Sequence, residues 1–292
     1  MNVGVIGIGL MGLAIAQRLR ELGHEVHVRD IDAAREALAE GCHVQPTAAQ
    51  LASACELVLI VVVDASQVRR VLFDADGVLH AQPLPRALVL CPTIGAADTE
   101  AFAAALQAEG VACLDAPMSG GPVRARDGSM SLMVACTEAV FRQWQPLLVQ
   151  LASRLHHVGT RAGDGARTKL VNNLLATINL VGACEAMALA QKLGLDAAMT
   201  LAVIEQSSGQ SWIGSERLQR VLAGDASVGA QMSLLAKDSA LALALAREVD
   251  FSTPLGAVAA ARFAAALQAG LADEDDSALW RFTARPAPQS AP

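Results

Sequence analysis

The chain has 292 residues, of which 53% are hydrophobic and 17% charged, and its formal net charge is −7. A chain of this length and apolarity can bury a large core in one or two domains, which excludes disorder over most of its length. The 22 Lys and Arg residues, against 29 Asp and Glu, do not predict a basic face, so no nucleic-acid partner is expected. Apolar stretches such as residues 57–63 are too short to cross a bilayer, and the N-terminal stretch lacks a basic leader and a cleavage site, so no membrane is expected either.

Cysteine and histidine spacing gives no sign of a disulfide framework or a metal site. No CxxC or HExxH pattern occurs, and the expected metal content is none. Scattered cysteines of this kind are typical of buried thiols in a reducing compartment, which predicts a cytoplasmic protein. The cysteines are Cys42, Cys55, Cys91, Cys113, Cys136 and Cys184.

The first half of the chain alternates short apolar runs with longer segments rich in Ala, Leu, Arg and Glu, a pattern that predicts a parallel sheet with helices on both faces. A helix over residues 11–22, ended by Gly23, makes a βαβ unit of the first two strands. We therefore expect an α/β domain with a parallel-rich sheet over residues 1–160. The predicted strands cover residues 2–6, 25–29, 57–62, 87–90, 112–115 and 131–135.

After Gly159 the sequence reads as all-helical, which predicts a second domain over residues 161–284. Its first helix is long and apolar enough to run through an interface as well as a core, so we expect a homodimer or homotetramer. Residues 285–292, rich in Pro, Ala and Ser, are expected to form a disordered tail. The predicted helices cover residues 161–193, 196–206, 215–222, 233–249 and 254–269.

A GxGxxG pattern, Gly7-Ile8-Gly9-Leu10-Met11-Gly12, follows the first predicted strand and opens the first helix. In that context it predicts a dinucleotide site: Gly7 allows the tight turn, Gly9 lets the backbone approach a pyrophosphate, and Gly12 lets the helix pack on the strand. The backbone of Leu10 and Met11 would offer unpaired N–H groups to the phosphates. An ordinary strand-to-helix turn is the alternative interpretation.

Asp30 stands eighteen residues beyond Gly12, at the end of the second predicted strand. A carboxylate there accepts hydrogen bonds from ribose hydroxyls and repels a 2′-phosphate, which favours NAD over NADP. The neighbouring Arg29 could instead receive that phosphate, so NADP is not excluded.

Two further stretches carry candidate chemistry. The run Asp115-Ala116-Pro117-Met118-Ser119-Gly120-Gly121 follows a predicted strand, and its glycines expose backbone N–H groups that can hold a small carboxylate. Lys169 and Asn173 are four residues apart on the long helix and project from one face. A lysine on an otherwise apolar helix is a candidate for proton exchange near neutral pH, although a solvent-facing lysine is the commoner case.

These motifs resemble those of the β-hydroxyacid dehydrogenases, the family of 3-hydroxyisobutyrate dehydrogenase and tartronate semialdehyde reductase. The resemblance runs almost end to end, through the sequences GIGLMG, DAPMSGG, GTRAGDGARTKLVNN and LLAKDSALAL, in that order. It implies a Rossmann-like N-terminal domain followed by an all-α C-terminal domain. It also implies hydride transfer between NAD and a small 3-hydroxy acid such as 3-hydroxyisobutyrate, glycerate or a sugar acid.

The resemblance further implies individual residue roles. Lys169 would be the general acid/base, and Lys237 would lie close to both cofactor and substrate. Within Cys91-Pro92-Thr93-Ile94, where the chain departs from the family pattern, Thr93 keeps the position beside the nicotinamide, and Val62 and Val63 would line the adenosine and ribose side. The implied substrate ligands are Ser119, Gly120, Gly121, Asn173 and Lys237.

Two other functions fit parts of this pattern. Imine reductases share the architecture, but they usually carry another residue type at the position of Lys169. A non-catalytic NAD-binding sensor needs neither Lys169 nor Asn173, so the presence of both favours an enzyme.

Overall fold

The computed structural model describes residues 1–284, and the predicted tail, residues 285–292, lies outside the described residues. The chain forms two compact units, Met1–Lys169 and Leu170–Pro292. The first is a sheet covered by helices and the second is helical, as the sequence predicts. The boundary between them falls inside one long helix.

The first unit is built on a nine-stranded sheet. Its strands lie in the order β3-β2-β1-β4-β5-β6-β8-β7, with β9 also paired to β8. The strands are β1 (Asn2–Ile6), β2 (Glu25–Arg29), β3 (His43–Val44), β4 (Leu57–Ile60), β5 (Ala87–Leu90), β6 (Ala112–Asp115), β7 (Met118–Ser119), β8 (Ser131–Ala135) and β9 (Arg154–Gly159).

All pairings from β3 through β6 are parallel, and β8 runs antiparallel to β6 and β7. The carboxyl ends of the parallel strands therefore meet at one edge of the sheet. The chain order reverses direction at β1, which is the place where open α/β sheets bind ligands. Strands β3, β7 and β9 were not predicted from the sequence. The strand predicted over residues 57–62 ends at Ile60, because Val61 and Val62 pack against the turn that follows β1.

Successive side chains along a strand point to opposite faces of the sheet, and this produces an apolar core on each face. Leu57 and Leu59 pack into one apolar cluster, and Val58 and Ile60 pack into the other. All four side chains are at most 2% exposed, as expected when helices cover both faces. The helices of this unit are α1 (Leu10–Glu21), α2 (Ala33–Glu36), α3 (Ala48–Ala54), α4 (Ala65–Phe73), α5 (Ala96–Ala108), α6 (Gly121–Asp127) and α7 (Glu138–Leu151).

The second unit packs helices around a third apolar cluster that includes Leu180, Phe263 and Leu279. Arg217 forms a buried ion pair with Asp276, and burial raises the pKa of Asp276 to about 6. The long helix that crosses the boundary and the helices after it are α8 (Asp164–Lys192), α9 (Ala197–Glu205), α10 (Trp212–Leu222), α11 (Met232–Glu248), α12 (Pro254–Gln268) and α13 (Leu279–Ala284).

The 29-residue helix α8 is, among the described residues, the one helix long and apolar enough to cross a membrane. Core helices of soluble proteins meet the same criteria, so this is weak evidence for a membrane span. Its polar residues include Lys169, Asn173 and Thr177, and all three are buried in the fold.

Candidate active site

The turn after β1 places three glycines at the carboxyl edge of the sheet. Gly7 has φ +94°, and a Cβ there would collide with the Val61 carbonyl. A Cβ on Gly12 would overlap the Gly7 carbonyl oxygen, so its absence lets α1 pack directly on the turn. Two of the three glycines are therefore required by the fold itself.

Gly9 is different, because the fold does not require a glycine there. Its φ of −73° and ψ of −168° are accessible to any residue, and the nearest atom to a Cβ would be Arg35 Nη1 at 3.9 Å. Gly9 is also the N-cap of α1 and provides no side-chain cap to the first-turn N–H groups. Open space next to uncapped amides at a helix N-terminus is the cradle that a pyrophosphate needs, so these residues fit a dinucleotide.

Asp30 lies at the end of β2 beside this turn and is 6% exposed. Its Oδ2 accepts the N–H of Ile8 at 2.6 Å and its Oδ1 accepts the N–H of Asp32 at 2.9 Å. The carboxylate therefore holds the turn in place in addition to the ribose contact that the sequence predicts.

Arg29 is paired with a carboxylate. Its Nη1 lies 2.8 Å from Glu36 Oε1, and the same oxygen accepts the backbone N–H of Asp30 at 2.8 Å. Glu36 was not among the predicted site residues. It lies on α2, and it reaches the end of β2 only because the chain folds back there. An arginine engaged in this way is less available to a 2′-phosphate.

The other predicted cofactor residues follow neighbouring parallel strands. Val62 packs against the Gly7 turn, and the N–H of the half-exposed Val63 donates to Gln67 Oε1 at 2.8 Å. Thr93 follows β5 and is partly exposed. The fold thus brings the ends of β1, β2, β4 and β5 to one edge, in agreement with the crevice expected for parallel sheets.

Ser119, Gly120 and Gly121 form a turn between β7 and α6. Gly120 has φ +133° and Gly121 has φ +75°, and nothing lies within 4 Å of a Cβ placed on Gly121. Positive φ at two successive positions favours glycine at both, and the open space beside Gly121 leaves room for a small ligand at the start of α6. Ser119 is itself held in register opposite Ser131 of β8.

Lys169 lies on the second turn of α8 and is 7% exposed, so the solvent-facing alternative is wrong. The helix begins at Asp164, three residues later than predicted, because residues 159–163 complete β9 and a turn. Its first turn is held by Asp115, whose Oδ2 accepts the N–H of Gly163 at 2.8 Å and of Ala166 at 3.1 Å. Burial raises the pKa of Asp115 to about 6.

Asn173 follows Lys169 by one turn and belongs to a hydrogen-bonded trio in the second unit. Its Nδ2 donates to Asp238 Oδ2 at 2.6 Å, and Lys237 Nζ lies 2.7 Å from Asp238 Oδ1. Because a carboxylate only accepts, Asp238 fixes which way the amide points, and Asn173 Oδ1 is left on the opposite side, accepting from Asn172 at 3.0 Å. Sequence reasoning selected Lys237 and missed Asp238, although the two are adjacent.

Comparison with known proteins identifies the family. Residues 2–159 match the NAD-binding domain of 6-phosphogluconate dehydrogenase, and residues 163–283 match the NAD-binding domain of NADP-dependent 3-hydroxyisobutyrate dehydrogenase. The chain is 34% identical to L-threonate dehydrogenase of Cupriavidus necator, over 95% of this chain and 94% of that one. The chain belongs to the β-hydroxyacid dehydrogenase family.

Further β-hydroxyacid dehydrogenases agree with this assignment. The chain is 32% identical to 2-hydroxy-3-oxopropionate reductase of Escherichia coli over 96% of both chains. The solved 3-hydroxyisobutyrate dehydrogenase of Salmonella typhimurium is 33% identical, with a TM-score of 0.87 over 97% of this chain and 99% of that one. The resemblance read from the motifs is confirmed, and the protein is an NAD(P)-dependent 3-hydroxyacid dehydrogenase.

Membership of a dehydrogenase family argues against the non-catalytic sensor. An imine reductase of Myxococcus stipitatus is 21% identical with a TM-score of 0.67, which is a likeness of fold alone. No group of three or more His, Cys, Asp or Glu residues among residues 1–284 is arranged to hold a metal ion. The roles of the individual site residues stay predictions.

Proposed function

We propose that this β-hydroxyacid dehydrogenase uses NAD to oxidise a small polyhydroxylated acid of the sugar-acid type, with Lys169 as general acid/base. The observation that carries the proposal is the buried Lys169 on α8, one turn before an asparagine whose amide orientation is fixed by Asp238. A buried amine beside an oriented amide can exchange a proton with a hydroxyl and hold that hydroxyl in place.

In the proposed oxidation, the neutral amine of Lys169 takes the proton of the reacting hydroxyl while a hydride leaves the carbon that bears it. Bound NAD supplies the hydride acceptor. Asn173 Oδ1 orients the hydroxyl, and the backbone of Ser119, Gly120 and Gly121 receives the substrate carboxylate. Reduction uses the same groups, with the ammonium of Lys169 giving its proton to the carbonyl oxygen.

The cofactor is proposed to contact the remaining predicted residues. Lys237, held on Asp238, is proposed to lie close to both cofactor and substrate. The choice of NAD over NADP is supported by two carboxylates at the end of β2, Asp30 and Glu36, and by the pairing of Arg29 with Glu36. The proposed cofactor-binding residues are Gly7, Gly9, Leu10, Met11, Gly12, Asp30, Val62, Val63, Thr93 and Lys237.

The preference for a polyhydroxylated acid is supported by the segment between α9 and α10. Gln206, Ser207, Ser208 and Gln210 are exposed there, which offers hydroxyl and amide groups to substrate hydroxyls. Several relatives named L-threonate dehydrogenase are 30–34% identical to this chain. Threonate, glycerate and 3-hydroxyisobutyrate are therefore the first acids to test.

The deciding experiment is a spectrophotometric screen of small 3-hydroxy acids, with matched amines, against NAD and NADP. We expect reduced cofactor with a hydroxy acid, a higher kcat/KM for threonate or glycerate than for 3-hydroxyisobutyrate, and a higher kcat/KM with NAD. Turnover of amines alone would overturn the reaction class. Equal or better turnover with NADP would overturn the cofactor preference.

We also propose that residues 161–284 bind substrate and form a homodimer in the cytoplasm. Support comes from a face of α8 that carries Val171, Leu175 and Leu189, which are 64%, 58% and 60% exposed in the single chain. A second copy would bury this stripe, whose spacing matches the helix period. Light scattering should give a dimeric or tetrameric mass that falls in Leu189→Glu but not in Leu38→Glu, an exposed leucine of the other unit. A monomeric wild type would overturn this proposal.

A further inference from the structure

The first turn of α8 is capped by a side chain from a distant strand. Helix N-termini leave N–H groups without an intrahelical partner, and a Ser, Thr, Asp or Asn at the N-cap usually satisfies them. Here the N-cap position is Gly163, whose carbonyl accepts the N–H of Arg167 and which has no side chain. Asp115, 48 residues earlier, accepts the N–H groups of Gly163 and Ala166 instead.

Close packing makes this cap rigid. Asp115 is 2% exposed. A Cβ on Gly165 would lie 2.8 Å from the carbonyl oxygens of both Asp115 and Met133, so the first turn of α8 packs against the end of β6 and the middle of β8. Gly163 has φ +91°, a conformation that favours glycine. The start of α8 therefore cannot slide along the sheet without breaking these contacts.

The same aspartate opens the segment that holds the proposed carboxylate site. Asp115 precedes Ser119 by four residues, and Ala166 precedes Lys169 by three. We infer that Asp115 is a positioning residue that fixes Lys169 relative to the Ser119–Gly121 turn. This inference rests on the proposed role of Lys169, and the anchoring of α8 can be tested without it.

The charge of Asp115 matters because an ionised carboxylate accepts several N–H groups at once, whereas a protonated one turns an oxygen into a donor. Burial raises its pKa to about 6, and the bonds from the α8 amides oppose that rise. The charged or titratable groups that face it are Asp164 of α8 and the thiols of Cys91, Cys113 and Cys136. Protonation near pH 6 should loosen the cap and misplace Lys169.

The first experiment compares wild type with Asp115→Asn and with Asp196→Asn, which removes the same charge at the ordinary local cap of α9. Hydrogen exchange should accelerate about tenfold or more at residues 163–166 in Asp115→Asn only. Reduction of the oxo acid identified in the screen should slow about 10- to 100-fold, while the Kd for NADH stays within about twofold. In the reduction direction Lys169 donates the proton, so loss of that proton lowers the rate on the alkaline side of the pH profile. A fall in the reduction rate on the acid side then reports Asp115.

Wild type should therefore lose reduction rate below about pH 6, and Asp115→Asn should lack this acid limb. A second variant, Asp164→Asn, keeps the cap but removes a charge that raises the pKa of Asp115. Its acid limb should move to lower pH, with the rate at about pH 8 within twofold of wild type. If Asp115→Asn does not fold, the shift in Asp164→Asn decides the outcome.

Wild-type rates and an unchanged acid limb in Asp115→Asn would overturn the inference, and so would an acid limb in Asp164→Asn that stays in place or moves upward. Failure of the proposed function gives a different result. No acid would then be turned over by wild type, while accelerated exchange at residues 163–166 would still report the anchoring of α8.

Discussion

Substitution of Gly9 by Ala should separate cofactor binding from folding. The backbone at Gly9 suits any residue, and a new methyl group would meet no protein atom closer than Arg35 Nη1 at 3.9 Å. Loss of unfolded-chain entropy stabilises the variant by about 0.4–1 kcal/mol, and the poorer N-cap offsets this by a similar amount. The melting temperature of the apoprotein should therefore stay within a few degrees of wild type.

Cofactor affinity should change much more. The methyl group would occupy the space through which the backbone approaches the pyrophosphate, and forcing a methyl into a filled space costs about 1–3 kcal/mol. This corresponds to a rise of about 5- to 150-fold in the Kd for NADH, which calorimetric titration of the apoprotein can measure.

The matched control is Gly12→Ala, one turn further along α1. A Cβ there would overlap the Gly7 carbonyl oxygen, so this variant should lose about 1–3 kcal/mol of unfolding free energy even without cofactor. Wild-type affinity for NADH in Gly9→Ala, or a substantial loss of apoprotein stability in the same variant, would refute the division of roles among the three glycines.

Three further changes test other parts of the site and fold. Lys169→Ala should lower kcat by about a hundredfold or more with little change in the Kd for NADH. Lys169→Arg should not restore oxidation because a guanidinium stays protonated. A wild-type steady-state rate in Lys169→Ala would disprove the role. Glu36→Gln should weaken the hold on Arg29 and raise the NADP/NAD ratio of kcat/KM by about tenfold, whereas Glu40→Gln, at an exposed site, should leave it unchanged. Asp276 binds its proton more tightly folded than unfolded, so its proton-linked stability is present below about pH 4 and is lost as the pH rises through about 6. The difference in unfolding free energy between wild type and Asp276→Asn should therefore fall by roughly 2–3 kcal/mol between about pH 4 and pH 7 in denaturant titrations, and no change with pH would contradict the assignment.

The sequence predicts the central elements because their signals are local. Strands β1, β2, β5, β6 and β8 are continuous apolar or alternating runs, and their predicted bounds agree with the structure. The strands that it missed lack such a run: β3 and β7 have two residues each, and β9 reads Arg-Leu-His-His-Val-Gly. Their extended conformation comes from pairing with neighbours that are distant in sequence.

The residues of the candidate site also fall into two groups, those with a local sequence signal and those without one. Gly7, Gly9 and Gly12 could be found from the sequence because their spacing is fixed by one turn, and Lys169 with Asn173 because four residues make one helical turn. Asp238 and Glu36 could not be assigned, since their partners lie 65 and 6 residues away and meet them only after folding. No local pattern encodes such contacts.

Three buried aspartates show what the missing contacts have in common. Asp30 accepts the N–H of Ile8 in the dinucleotide turn, Asp115 accepts N–H groups at the start of α8, and Asp238 accepts the amide of Asn173. In each case a pure acceptor fixes donors on the segment that carries a proposed functional group. At Asp30 and Asp238 both oxygens receive a donor, so an asparagine would present its own N–H group to one of them. At Asp115 one oxygen accepts both α8 amides, and its negative charge strengthens those bonds. From sequence alone, an aspartate beside a candidate site suggests a ligand contact; here each carboxylate binds the protein's own donors, which sets the geometry that the ligand meets.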